Sequence, residues 1–106
     1  MSSQADLEWI TPREWAQRVN RFSRADRFRV LESLDPSLAS KRNVTVDDDV
    51  TFKAVGPDPP TGTRSSELVV CVAGMSIGRV SVGLYDRRGG GDADRLAQVA
   101  KAYNGQ

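Results

Sequence analysis

Two hydrophobic periods divide the chain: apolar residues recur every three to four positions between Pro12 and Leu34, and alternate with polar ones from Asn43 to Tyr85. Thr11 precedes Pro12, whose fixed φ suits a first helical position, and Glu14 follows three residues later at capping-box spacing. This predicts a helix from Pro12 to about Arg21 with Trp15, Val19 and Phe22 in one stripe. Ser23 and Asp26 repeat the cap spacing and predict a second helix, ending near Leu34 because Asp35 precedes Pro36. Its stripe is Val30, Leu31 and Leu34, with Phe28 at the edge. Arg27 is anomalous: it projects between Leu31 and Leu34, close enough to the helix start for its stem to snorkel into water.

Further on, "NVTV" from Asn43 and "DVTFKAV" from Asp49 alternate as strands do, with an aspartate-rich turn or a bulge between them. Gly56 to Ser66, "GPDPPTGTRSS", is a loop by its proline, glycine and serine content. "ELVVCVA" and "IGRVSVGLY" predict a hairpin joined at "GMS". The first is apolar on both faces, which suits a central strand. In the second, Val80, Val82 and Leu84 alternate with Arg79, Ser81, Gly83 and Tyr85, giving one dry face and one wet or partner-facing one.

Gly89, Gly90 and Gly91 make a flexible joint, and Asp92 caps a last helix, 92–103, with the stripe Ala93, Leu96, Ala100 and Tyr103. So short a helix is marginal alone in water, so its stripe docks either on its own sheet or on a partner. Residues 1–10 show no period and are expected to be flexible. The expectation is one α+β domain over 1–106. It has two N-terminal helices (12–34), a small antiparallel sheet of three or four strands (43–86, with the loop at 56–66) and a C-terminal helix packed on one face.

Composition narrows the chemistry. The chain has 106 residues and a formal net charge of +1, enough for one modest core and too balanced and apolar for wholesale disorder. It has no histidine and a single cysteine, Cys71, so an intramolecular disulfide, the usual zinc sets and a Ser–His or Cys–His pair cannot be built. Cys71 lies in an apolar run, which predicts a buried, inert thiol. No catalytic residue, metal or cofactor is assigned. No apolar run approaches the roughly 20 residues of a membrane helix, and "MSSQADLEWI" lacks the basic-then-apolar start of a secretory signal. A cytoplasmic location and no membrane contact are expected.

Arginine outnumbers lysine by 12 to 3, which the codon bias of a GC-rich bacterial or phage genome explains without invoking function. Placement is more informative: from Arg13 to Arg29 six positive charges face two negative ones. A nucleic-acid reading assigns contacts to Arg18, Arg21 and Arg24, yet the aromatics that would stack on bases take core positions. A solvated helical face is the simpler reading. In "VDDDV", Asp47 and Asp49 share a side and suit a basic partner or a hydrated Mg²⁺, although aspartates commonly serve turns for their own sake. Neither "GGGD" nor "GMSIG" has the spacing of a phosphate loop.

These features point to a small non-enzymatic interaction module, such as an adaptor, inhibitor or immunity-like protein. It would meet a protein partner through Arg79, Ser81 and Tyr85, with Asp47 and Asp49 as a second contact. The alternative is nucleic-acid binding through the arginine face. Last comes a carboxylate- or metal-dependent enzyme built on Asp47 and Asp49. A homodimer, through an edge strand or a tail helix swapped about the glycine joint, suits a small open sheet.

Overall fold

Both capping signals operate in the structure, a computed structural model that describes residues 7–87. The Thr11 hydroxyl accepts from the Glu14 amide at 3.0 Å and opens α1 (Pro12–Asn20); the Ser23 hydroxyl accepts from the Asp26 amide at 3.2 Å and opens α2 (Arg24–Leu34). A short strand, β1 (Leu7–Trp9), precedes α1. Asp35 ends α2 and at once caps a third helix, α3 (Pro36–Lys41), its carboxylate accepting from the Leu38 amide at 3.1 Å. Asp-Pro, expected as a helix stop, is here also an N-cap followed by proline at the first helical position, so α3 begins where α2 ends.

Four strands follow: β2 (Val50–Lys53), β3 (Ser65–Val72), β4 (Met75–Gly83) and β5 (Tyr85–Arg87). β2, β3 and β4 form an antiparallel sheet in that order, with β3 in the centre as its two-sided apolar character implied. Along each strand the even positions turn inward: Val50 and Phe52, Leu68 and Val70, Val80 and Val82 are all buried. They meet Trp15 and Val19 of α1 and Val30 and Leu31 of α2, so the helices cover one face of the sheet. Trp15 meets Phe52 edge-to-face, with ring centroids 5.4 Å apart. At Gly78 a Cβ would stand 2.9 Å from a Leu38 methyl, so glycine there gives α3 its close approach to β4.

The strand nearest the helices is also fastened by polar side chains. β2 pairs with β3 on one edge only; on the other, the Asn20 amide donates to the Phe52 carbonyl at 2.9 Å and accepts from the Phe52 amide at 3.0 Å. Arg27 donates to the Val50 carbonyl two residues earlier on the same edge. The exposed backbone row that an edge strand usually presents is thereby taken up by α1 and α2.

Several expectations change. Residues 1–10 were expected to be flexible, but Leu7–Trp9 pairs with β5, Ile10 is buried, and the Trp9 indole donates to the Thr63 carbonyl at 2.8 Å. "NVTV" is not a strand: Thr45–Asp48 is a turn, with the Thr45 amide donating to the Asp48 carboxylate at 2.8 Å. The β3–β4 turn is Ala73–Gly74, with φ of 51° and 84°, rather than "GMS". Positive φ at both central residues is the geometry of the tight hairpin turn whose twist matches the strands. The predicted helix 92–103 and the glycine joint lie outside the described residues. No helix among the described residues is long and apolar enough to cross a membrane.

Two stability predictions follow from this geometry. Asn20→Ala leaves both main-chain groups of Phe52 without their side-chain partner and is expected to cost about 1–3 kcal/mol in urea unfolding. Ala73→Asn, which tolerates left-handed backbone better, is expected to stabilise the protein by about 0.5 kcal/mol or more, read as a higher denaturation midpoint at constant m-value.

Candidate functional site

The six arginines between Thr11 and Leu34 are largely committed within the fold. Arg13 reaches the Ala54 and Gly56 carbonyls and lies 3.6 Å from the Asp58 carboxylate, tying α1 to the loop after β2. Arg18 pairs with Glu14 at 2.9 Å and approaches Glu8 at 3.8 Å. Arg24 donates to the Asp47 carbonyl at 3.1 Å, and Arg29 pairs with Asp26. Arg27 is the most enclosed, its side chain only 13% exposed: it donates to the Val50 carbonyl at 2.6 Å, to the Phe22 carbonyl, and to the Asp49 carboxylate at 2.8 Å. Its place in the apolar stripe is therefore explained by main-chain acceptors at the start of β2, not by an escape to water.

Of the trio Arg18, Arg21 and Arg24, two are thus held by acceptors of the fold, while Arg21 is exposed on α1. An open, polar groove of about 310 Å³ runs along this helix, lined by Thr11, Arg13, Glu14, Gln17, Arg18 and Arg21. Glu14 sits among its cations, so the groove is electrostatically mixed rather than a run of unopposed positive charge.

The three aspartates have divided roles. Asp48 closes its own turn on Thr45. Asp49 holds Arg27, and its carbonyl accepts from the Ala73 amide at 3.1 Å, joining the turn to the hairpin tip. Asp47 is exposed, and its carbonyl carries Arg24. A cation seated on Asp49 would have to displace Arg27. Among the described residues no three histidine, cysteine, aspartate or glutamate side chains come together as a metal site would require.

The remaining candidates lie on or near the outer face of the sheet, opposite the helices. Arg79 and Ser81 are exposed there. Tyr85 is separated from them: the chain bends at Leu84, whose carbonyl accepts from the Ile10 amide at 2.7 Å, and Tyr85 belongs to the β1–β5 pair with its hydroxyl beside Gly62. The register sets out the outer face. Lys53, Val69 and Arg79 form one row across the three strands, Thr51, Cys71 and Ser76 a second, and Glu67 and Ser81 a third. Strand spacing puts Lys53 and Arg79 about 10 Å apart at the backbone, on either side of Val69. Arg79 lies 3.6 Å from Glu67 while remaining 69% exposed.

Cys71 is the principal correction. It was expected to be buried, yet it is partly exposed on this outer face, because inward parity falls to Leu68 and Val70. A strand apolar on both faces gives no parity of its own; only its pairing with β2 and β4 decides which side is inward. Lys53 was also missed, although its alternation with Phe52 in "TFKAV" marks it as the outward neighbour of a core position.

Unequal effects are expected at the Arg27–Asp49 pair. Asp49→Asn, at a half-exposed carboxylate, should cost no more than about 1 kcal/mol, whereas Arg27→Met also strips two carbonyls of their donor and should cost about 2–4 kcal/mol. Chemical denaturation of both variants and their double mutant checks this; equal costs would mean that the carboxylate, not the main chain, is what Arg27 holds.

The chain matches no family model, no curated protein and no solved structure.

Proposed function

We propose that this protein is a small, non-enzymatic, cytoplasmic interaction module, an adaptor, inhibitor or immunity-like protein, whose contact surface is the outer face of the β2–β3–β4 sheet. The observation that carries the reading is the row Lys53–Val69–Arg79: an apolar residue at the centre of a face that, among the described residues, the helices leave uncovered, flanked at both ends by long cationic side chains. Arginine beside an apolar centre is a common anchor of protein interfaces, and a regular sheet presents it on a rigid base. The absence of histidine, the commonest general base near neutral pH, supports the non-enzymatic part of the reading.

Lys53 and Arg79 favour an acidic contact on the partner, and Glu67, 3.6 Å from Arg79, adds one carboxylate to the same face. A second copy placed row against row brings like charges together, which disfavours a homodimer through this face. Tyr85 and Asp47 fall outside this surface, and Asp49 is engaged by Arg27; Arg79 and Ser81 are the sequence candidates kept for it. Nucleic-acid binding is the weaker alternative, since most arginines of the helical layer already have acceptors.

Capture from native cytoplasm with the tagged full chain, with and without nuclease, tests the reading. A protein partner is expected that resists nuclease, falls about tenfold with Lys53→Glu/Arg79→Glu, a loss of about 1.4 kcal/mol of binding, and is unchanged by Arg21→Ser. A partner retained by the sheet variant, or recovery of nucleic acid lost at raised salt, would overturn it.

A further inference from the structure

We propose that β4 is the edge through which two copies of this chain pair, antiparallel and about a two-fold axis at Val80, to make one continuous six-stranded sheet. The proposal goes beyond the contact face described above and does not depend on it.

The bonds at β2 fix the main-chain directions across the sheet. Both main-chain groups of Phe52 bond the Asn20 side chain, so Phe52 points away from β3, and in an antiparallel ladder this direction alternates from residue to residue. Thr51 and Lys53 therefore bond Cys71 and Val69, which leaves Leu68 and Val70 to bond their own partners on β4, Val80 and Gly78. The Leu84 amide keeps the same step, donating to the Arg64 carbonyl at 2.9 Å. Arg79 and Ser81 thus direct their N–H and C=O groups along the outer edge of β4. Among the described residues β4 is a terminal strand of its sheet, and the side chains of α1 and α2 that bond an edge do so at the opposite one, β2.

A hydrogen-bonded self-pairing sets these outward residues against each other, and charge selects the register. Centred on Arg79, it opposes two guanidinium groups of like charge. Centred on Ser81, it puts Arg79 in line with the partner's Gly83 and the partner's Ser65, which carry no charge to meet it. Centred on Val80, it sets each Arg79 opposite the partner's Ser81, and the outer row runs Lys53, Val69, Arg79, the partner's Ser81, the partner's Glu67. Arg79, 3.6 Å from Glu67 of its own chain, then has the partner's Glu67 about 10 Å along the row at the backbone, within the combined reach of two long side chains. Each Arg79–Ser81 pair exchanges both main-chain hydrogen bonds. On the inner face Val80 meets its own copy, and Val82 lies opposite the partner's Gly78, the position where a missing Cβ makes room for Leu38. The bulge between Val70 and Cys71 falls beyond Gly78 toward the hairpin tip, so the paired stretch Gly78–Val82 is regular strand. The result is a closed, two-fold assembly in which the same edge serves both copies.

Sedimentation equilibrium of the purified full-length chain is expected to give a mass that rises with concentration toward twice that of one copy. Ser81→Arg stands beside Glu67 in its own sheet but opposes Arg79 across the axis, and is expected to weaken the dimer about tenfold or more. Adding Arg79→Glu makes opposite-charge pairs of both contacts and is expected to return the dissociation constant to within about threefold of wild type. Pairing centred on Ser81 gives no such rescue, because it sets the new arginines against each other. Circular dichroism monitors folding. Should a variant fail to fold, hydrogen exchange in the wild type decides: the Arg79 and Ser81 amides gain protection as concentration rises, while those of Val80 and Val82, bonded to β3, are protected throughout. A monomer's mass up to about 1 mM would overturn the proposal. So would a double variant as weak as Ser81→Arg, or exchange at Arg79 and Ser81 that does not change with concentration. Because the chain is measured alone, the outcome is independent of the capture experiment.

Discussion

A four-residue strand at the edge of a small sheet is the least secure element such a fold can have, and here it is the one against which α1 packs most. β2 is secured by side chains that take the place of a missing neighbour strand. Asn20, at the end of α1, mimics a peptide unit and bonds both main-chain groups of Phe52. Arg27, in the first turn of α2, bonds the Val50 carbonyl and bridges to Asp49 and to the carbonyl that ends the α1–α2 link at Phe22. One strand, two helices and a turn are thus fixed relative to one another by two polar residues. The Trp15–Phe52 contact fills the space beneath them.

Other arginines of the helical layer make comparable connections within the fold. Guanidinium groups with several donors in a fixed fork suit the joining of main-chain carbonyls to carboxylates across elements, as Arg13 and Arg27 do, while Arg24 reaches the Asp47 carbonyl alone. Arg18 and Arg29 make pairs within or beside their own helix. The positive balance of the stretch is real in the sequence but largely answered in space. The surface proposed for partner contact is the opposite side of the sheet, where Lys53 and Arg79 stand on regular strands and their direction is set by the pleat.

Legibility followed the range of the physics. The caps at Thr11 and Ser23, the helical stripes, the central position of β3 and the inward parity of Val80 and Val82 are local or periodic, and all were readable. β1 was not: three residues are too few to show a period, and the strand exists only because β5 returns to pair with it. Val44 and Val46 imitated a strand by alternation, but Asp48 captures Thr45 and bends the chain into a turn. Arg27 was recognised as out of place in an apolar stripe, while its acceptors at Asp49 and Val50, more than twenty residues away, were invisible in one dimension. The same holds for Cys71, whose side of the sheet depends on a register that no single strand encodes.

The most direct test of the edge fastening is native-state hydrogen exchange at the Phe52 amide, which points away from β3 and has only the Asn20 side chain as its acceptor. If Asn20 fastens this edge, the Phe52 amide exchanges only through global unfolding, at the same free energy as the central amides of β3. Exchange at the rate of an open strand edge, with β3 still protected, would show that β2 is not held in this way.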